Sequence, residues 1–333
     1  MKTDVAIIGA GPSGLFAAFQ CGMLGLSCHV IDTLPDIGGQ CTALYPEKPI
    51  YDIPALPKIA AADLIANLEA QAAPFAPDYL LNVAVMDVEK QDRRFTLTLS
   101  DGRTIDAGAV IIAAGPGAFG PNRPPLEGLE AYEGRSVFYM VRRRDDFAGK
   151  RVIIAGGGDS AVDWAVSLAD IAKVSVVHRR DQFRAAPDSV AKMKALAASG
   201  KIEMVVPYQL KALQGDGETL TGVEVATLEG DSKMLEADAL LAFFGLAAKL
   251  GPIADWGLTL SGAGIVTDPS NAETSITGVY AVGDIAAYDN KLKLISVGFG
   301  EAAMAAHGAY HYINPDRALH MEYSTTKGVP QKA

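Results

Sequence analysis

Cysteine is scarce in this chain: three residues among 333, at Cys21, Cys28 and Cys41. None forms a Cys-x-x-Cys pair, so neither a disulfide framework nor a thiolate zinc site organises the fold. Cys21 lies on an apolar helical stretch and Cys28 enters a strand, which is how small buried thiols are used in cores. Long apolar runs are missing as well. Nothing approaches the roughly 18 apolar residues of a membrane span, and Met1-Lys2-Thr3-Asp4 leads into a strand without the zones of a signal peptide. The expectation is a cytoplasmic protein with no membrane partner. A basic surplus is lacking too, since the formal net charge of -10 opposes the Lys- and Arg-rich face that nucleic acid requires. No Ser/His/Asp set or carboxylate pair suited to nucleophilic or acid-base catalysis stands out, and no metal site is indicated.

What the chain does have is a 49% hydrophobic composition and enough length for about two domains of roughly 150 residues each. Asp4 to Ile8 reads as a buried strand, Gly9-Ala10-Gly11-Pro12-Ser13-Gly14 as G-x-G-x-x-G, and Leu15 to Leu24 as a helix. Glycines in that strand-turn-helix setting let a pyrophosphate approach the backbone at the helix N-terminus, where free N–H groups and the dipole favour an anion. Ser27 to Ile31 gives a second strand ending in Asp32, whose carboxylate is suited to an adenosine ribose and so to an unphosphorylated dinucleotide, FAD or NAD.

Gly38-Gly39-Gln40 follows, with Tyr45 beyond it. A Gly-Gly-Gln loop after a ribose-binding carboxylate suits a flavin, and the Tyr45 ring suits stacking on its flat π-system. Ala60 to Ala72 has helical periodicity, whereas Leu80 to Val88 and Arg94 to Leu99 alternate as strands and are followed by a turn at Ser100-Asp101-Gly102, implying a small antiparallel insertion. Ala109 to Gly115 is a core strand, and the glycines and prolines after it mark a domain crossing, with the return at Gly245 to Gly251. Near the end, Ala281-Val282-Gly283-Asp284 precedes a Gly/Ala-rich helix over Lys293 to Tyr310. Asp284 is placed to bind ribitol hydroxyls, and the helix dipole to stabilise a reduced flavin ring.

Lys150 to Ala155 opens a second strand-turn-helix unit with Gly156-Gly157-Gly158-Asp159-Ser160-Ala161. A shift of 147 sets Gly9 on Gly156, Gly11 on Gly158, Gly14 on Ala161 and Asp32 on Arg179, with no gap. A carboxylate repels a 2′-phosphate, while Arg179 with Arg180, Arg184 and His178 binds one through charge-assisted hydrogen bonds. The second unit is therefore expected to prefer NADP. Ile202 to Leu213, Leu220 to Leu228 and Ala239 to Phe244 supply further strands.

Two fingerprints, the Gly-Gly-Gln loop and the Ala-Val-Gly-Asp motif together resemble the two-dinucleotide-binding-domain flavoproteins. More narrowly, Leu44-Tyr45-Pro46-Glu47-Lys48, Gly156 to Ala165, His178 to Ala185, Gly298-Phe299-Gly300-Glu301-Ala302 and Tyr323-Ser324-Thr325-Thr326 resemble ferredoxin-NADP reductases of thioredoxin-reductase-like architecture. The resemblance implies an α/β fold of two Rossmann-like domains, with a discontinuous FAD domain at 1–117 and 248–333 and an NADP domain at 118–247. It implies FAD contacts at Asp32, Gln40, Tyr45, Val85, Phe119, Asp284 and Thr325, with Tyr323 covering the flavin where relatives often carry histidine. It also implies a homodimer and ferredoxin, or flavodoxin, as the electron carrier. The chain departs from the family pattern at Cys41, where relatives often have an apolar residue. Arg142-Arg143-Arg144 stands about where thioredoxin reductases carry their redox cysteines. With Lys150 and Arg151 it forms a basic run suited either to docking an acidic ferredoxin or to plain solvation. Two other activities fit less well. A disulfide reductase needs a partner thiol for Cys41, and a flavin-bound sensor has no use for a 2′-phosphate site.

Overall fold

The computed structural model describes residues 1–317, 319 and 328, and omits the side chains at 118–121 and 246–249. The chain divides into two compact units, Met1–Phe119 with Ala248–Ala333, and Gly120–Ala247.

In the first unit, β1 (Lys2–Ile8) pairs in parallel with β2 (Cys28–Ile31), with Val5 opposite Cys28 and Ile8 opposite Ile31. Between them runs α1 (Pro12–Met23), started by a proline whose fixed φ suits the first helical turn. Its buried face is Gly14, Leu15, Ala17, Ala18, Cys21 and Gly22. Small residues let neighbours come close: a Cβ on Gly22 would lie 2.1 Å from the Phe75 ring. After α2 (Ala61–Ala72), β3 (Asp78–Leu80) extends the sheet alongside β2.

The strand expected over Leu80 to Val88 is broken. It stops at Leu80 and resumes as β4 (Val85–Gln91), with Asn82 at φ +58° between, a left-handed conformation that asparagine tolerates. β4 and β5 (Arg94–Leu99) form the expected antiparallel hairpin, which joins the main sheet along β6 (Thr104–Ile112). The order is β3-β2-β1-β6-β5-β4.

The second unit has its own parallel sheet. Its strands are β7 (Val137–Phe138), β8 (Arg151–Ala155), β9 (Lys173–Val177) and β10 (Ile202–Val205). The helices α3 (Asp159–Leu168) and α4 (Pro187–Ala198) link β8 to β9 and β9 to β10. The single strand expected over Ile202 to Leu213 ends at β10, because Pro207 offers no N–H to a ladder and fixes its own φ. A three-stranded antiparallel sheet follows: β11 (Gln209–Gly215), β12 (Leu220–Ala226) and β13 (Ser232–Glu236), the last unforeseen in sequence. β14 (Ala239–Ala242) then inserts between β7 and β8.

Back in the first unit, β15 (Val279–Ala281) pairs in parallel with the C-terminal half of β6, and α5 (Ile295–Ile313) packs its Ala302, Ala305, Ala306 and Ala309 into the core with α1. Ile111, on the central strand β6, has no exposed surface. Its truncation in Ile111→Ala removes contacts of a fully buried side chain and should cost about 2–5 kcal/mol. Urea unfolding is expected to show a lower midpoint at unchanged slope.

Candidate functional site

A cleft of about 1340 Å³, counting its open mouth, lies in the first unit at the carboxyl ends of β1, β6 and β15, the place where open α/β sheets bind ligands. Gly9 turns out of β1 at φ +110°, and a Cβ there would lie 2.3 Å from the Ala113 carbonyl. Gly39 faces Gly11 so closely that its Cβ would come 3.1 Å from the Gly11 Cα. The two glycine turns thus leave a bare backbone cradle at the N-terminus of α1, where no side chain caps the helix. Ser13 lines the cleft as well. Gly14 does not. A Cβ there would meet the Gly9 carbonyl at 1.9 Å, so its role is to seat the helix on the turn.

Asp32 is already engaged: Oδ2 accepts from the Ala10 N–H at 2.7 Å and Oδ1 from the Leu34 N–H at 2.9 Å. Each carboxylate oxygen keeps a second lone pair toward the cleft, which it lines. The sequence reading of a ribose acceptor is therefore joined by a second role, bracing the glycine turn.

At the other end stand Gln40, Cys41, Tyr45, Val85 and Asp284, all on the cleft wall, together with Leu294 and Ile295 where α5 begins. The Cys41 thiol lies 3.9 Å from the Tyr45 hydroxyl. Burial pushes the thiol up to about 11, so Cys41 is a neutral donor and a poor nucleophile at physiological pH. Burial also raises the Tyr45 phenol far above its ordinary range, with Cys41 adding to the shift. Tyr45 itself packs against a cluster of Leu15, Cys41 and Ile53.

Two site residues escaped the sequence reading. Trp256 lines the cleft with its indole N–H donated to the Met86 carbonyl at 3.2 Å; a tryptophan in a Gly-bounded loop was the available signal. Glu301 falls in the Gly298-to-Ala302 segment that carries the family resemblance, but its burial behind the Gly283–Asp284 turn was not legible there. Phe119's side chain, Tyr323 and Thr325 lie outside the described residues.

In the second unit, Gly156 takes φ +153° and its Cβ would lie 2.6 Å from the Phe243 carbonyl. Gly158 precedes α3, whose first turn holds Asp159, Ser160 and Ala161. The following segment is laced to this turn: the Arg184 N–H donates to Gly157 at 2.7 Å and the Ala186 N–H to Asp159 at 3.0 Å.

Strand register corrects the gapless alignment. Gly9 donates to Ile31, one residue before Asp32, and Gly156 donates to Val177, one residue before His178. Ile8 pairs with Ile31, and Ala155 with Val177. The second unit is one residue shorter between its strands, so the equivalent of Asp32 is His178 and Arg179 follows it. The two residues even share a task, because His178 covers Gly157, where a Cβ would be 2.3 Å from the ring. Arg179, Arg180 and Arg184 are exposed, and among the described residues none has a carboxylate within ion-pair distance.

The basic run reads differently. Arg144 binds the Ser167 carbonyl and Asp170, Arg143 approaches Asp146 at 3.8 Å, and Arg151 holds Asp238 and Glu236 at 2.6 and 2.7 Å. Much of its charge is spent inside the unit. Among the described residues no His/Cys/Asp/Glu cluster is arranged to hold a metal, and no helix is long and apolar enough to cross a membrane.

Residues 3–306 match the pyridine nucleotide-disulphide oxidoreductase family. The chain belongs to that family. Similar relatives of this oxidoreductase include a ferredoxin–NADP reductase of Paramagnetospirillum magneticum, 58% identical over 99% of this chain and 98% of the relative. Another, of Granulibacter bethesdensis, is 60% identical over 99% and 95%. Among solved structures, a thioredoxin reductase of T. acidophilum superposes with a TM-score of 0.79 at 27% identity, covering 93% of this chain and 98% of that one. The two-domain α/β fold of the oxidoreductase is thus thioredoxin-reductase-like, with relatives named for a different electron acceptor.

His178 yields a test of the corrected register. Burial is the main cause that lowers it from the ordinary 6.5, with Arg179 and Arg180 adding to it against a hydrogen bond that the imidazole donates to the Gln182 backbone. Below 6.5 the unfolded chain takes up a proton that the folded chain refuses, so this group makes stability fall as pH drops. Histidine NMR should show resonances titrating below 6.5 for His178 and His307, of which the His178 one disappears in His178→Gln. The variant should also lose part of the difference in Tm between pH 5.5 and 7.5.

Proposed function

We propose that the chain is an FAD-dependent NADPH:ferredoxin oxidoreductase, with FAD in the cleft of the first unit and NADP(H) on the second. The observation that carries this reading is the pair of strand ends. Asp32 closes the second strand of one unit, and His178-Arg179-Arg180 closes that of the other, with exposed guanidiniums free for a 2′-phosphate. The names of the relatives support the same activity.

The residues fit FAD. Gly9 sets the turn, and Gly11 and Gly39 bare a backbone cradle that a Cβ on either would narrow, at a helix end that favours a pyrophosphate. Asp32 has lone pairs left for ribose hydroxyls, and Asp284 has the same capacity for the ribitol chain. Tyr45 offers an aromatic face on the cleft wall. Gln40 and Val85 line the flavin end, and the N-terminus of α5 puts a positive dipole end beside it. When bound, FAD supplies two-electron exchange with the nicotinamide and one-electron exchange with an iron-sulfur carrier. The chain's own residues bind, orient and keep the pocket apolar. Phe119, Thr325 and the flavin-covering Tyr323 complete the set on the family resemblance. Flavodoxin as a second carrier, a homodimeric assembly and a cytoplasmic location belong to the same reading and rest on that resemblance alone.

A disulfide reductase is disfavoured by the thiols. Cys41 is the one cysteine on the cleft wall, and Cys21 and Cys28 are buried in the core between α1 and β2. Under NADPH, a panel of acceptors should show turnover with ferredoxin and none with thioredoxin, and the thiol count should not rise on reduction. Two new thiols would reverse the assignment. Arg179→Ala and Arg180→Ala should each raise the KM for NADPH about tenfold or more, as loss of a hydrogen bond to a charged group implies, while the KM for NADH stays within about twofold. Equal effects on the two coenzymes would remove the 2′-phosphate from the reading.

A further inference from the structure

Glu301 is the one carboxylate among the described residues that is almost fully buried, at 3% exposure. A lone charge there would be expelled or neutralised, and three donors compensate it. Oε2 accepts the Gly283 N–H at 2.7 Å, Oε1 accepts the Tyr288 hydroxyl at 2.5 Å, and the Lys291 ammonium also bonds Oε1. The Lys291 side chain is itself only 7% exposed, although the residue borders an open cavity together with Asp284 and Tyr288. Burial and the Glu301 carboxylate push the Tyr288 phenol up to about 12, which keeps it a donor.

The N–H that Glu301 takes belongs to the turn that carries Asp284 into the cleft. Gly283 sits at φ +74°, wedged between α1 and α5: its Cβ would lie 2.8 Å from the Ser13 hydroxyl. On α5, a Cβ on Gly298 would come 3.3 Å from the Gly283 Cα. Glu301 lies three residues on from Gly298, on the same helix face. One carboxylate therefore ties together α5, the Gly283–Asp284 turn and the Tyr288-to-Lys291 loop. The turn and α5 border the cleft, through Asp284, Leu294 and Ile295, and the loop borders a second cavity that Asp284 shares.

Buried ion pairs are rarely kept for net stability, because desolvation offsets their attraction. We propose that the Glu301–Lys291 pair is a positioning element for the cofactor end of the cleft, which fixes the Gly283–Asp284 turn and keeps the charge behind it balanced at zero. The inference rests on FAD as the occupant of this cleft. Neither residue touches the cleft itself through its charged group; both act through the turn and through the field they set.

Balance gives opposite signs for the two halves of the pair. In Glu301→Gln the amide still accepts from Gly283, but Lys291 is left as an uncompensated cation beside a cofactor whose reduced form is the more negative one. In Lys291→Met the uncompensated charge is an anion. The midpoint potential of bound FAD, read spectroelectrochemically, should move up in Glu301→Gln and down in Lys291→Met. In the double variant, where both charges are gone, it should return to near the starting value. The dissociation constant of FAD from refilled apoprotein should rise about tenfold or more in the singles, the equivalent of one lost hydrogen bond. Tyr288→Phe serves as a control that keeps the charge balance and should leave the midpoint in place. Midpoints that stay fixed in both singles, or move the same way, would overturn the proposal. If a single variant does not fold, a double variant whose FAD affinity and midpoint differ from the parent as much as the remaining single's do would overturn it too. Parent protein that retains no FAD would instead sink the functional reading on which it stands.

Discussion

Backbone hydrogen bonds from Thr104–Ile112 reach three neighbours, and the cofactor cleft depends on how they are divided. One edge of this strand pairs with Lys2–Ile8 along most of its length. The other edge pairs antiparallel with Arg94–Leu99 at Thr104 to Ala107, then in parallel with Val279–Ala281 at Val110 to Ile112. The change of partner falls at Gly108, where a Cβ would lie 2.8 Å from the Asp4 carbonyl. Because of that handover, residues more than 160 positions apart end side by side. The Gly9 turn, Ala113 and the Gly283 turn emerge together, and the space among them is the cleft. The discontinuous unit is the chain-level expression of this one strand.

The second unit repeats the local plan with different chemistry. In both, a glycine with positive φ leaves the first strand and donates to the end of the second. In both, the next residue on that second strand covers the middle of the turn: a carboxylate over the Ala10 N–H, an imidazole over Gly157. Charge selection is thus layered on a bracing role that the fold requires anyway. A carboxylate braces by accepting a hydrogen bond and leaves a negative face. An imidazole held neutral by burial braces by packing and leaves the adjacent guanidiniums to set the sign.

The legible parts of this molecule were those written in local pattern. The glycine turns and the Asp32, Gln40, Tyr45 and Asp284 positions needed only a few consecutive residues to be seen. Helix starts, by contrast, did not follow from local pattern: α1 begins at Pro12 rather than Leu15, and α5 at Ile295 rather than Lys293. Register between strands is decided by pairing, which a gapless shift cannot detect, so Asp32 was set against Arg179 when its partner is His178. Pro207 ends a strand that hydrophobic alternation alone would continue. Trp256 and Glu301 reach the site through tertiary contacts with Met86 and Gly283, and no spacing rule connects them. Arg144, the last of the basic run, looked like a free surface because its carboxylate and carbonyl partners, Asp170 and Ser167, lie some 25 residues away.

The distribution of sulfur has a chemical consequence of its own. All three thiols are buried in the first unit, and the second unit has none. Cys28 is raised well above the ordinary thiol value by its contact with Cys21 and by burial, and Cys41 by burial. Oxidants and alkylating agents attack the thiolate, which Cys28 and Cys41 withhold, and Cys21 has no exposed surface. A molecule that hands electrons to other proteins thereby presents no sulfhydryl for peroxide or stray disulfides to capture. Its reducing power should outlast exposures that would silence an enzyme working through a surface dithiol.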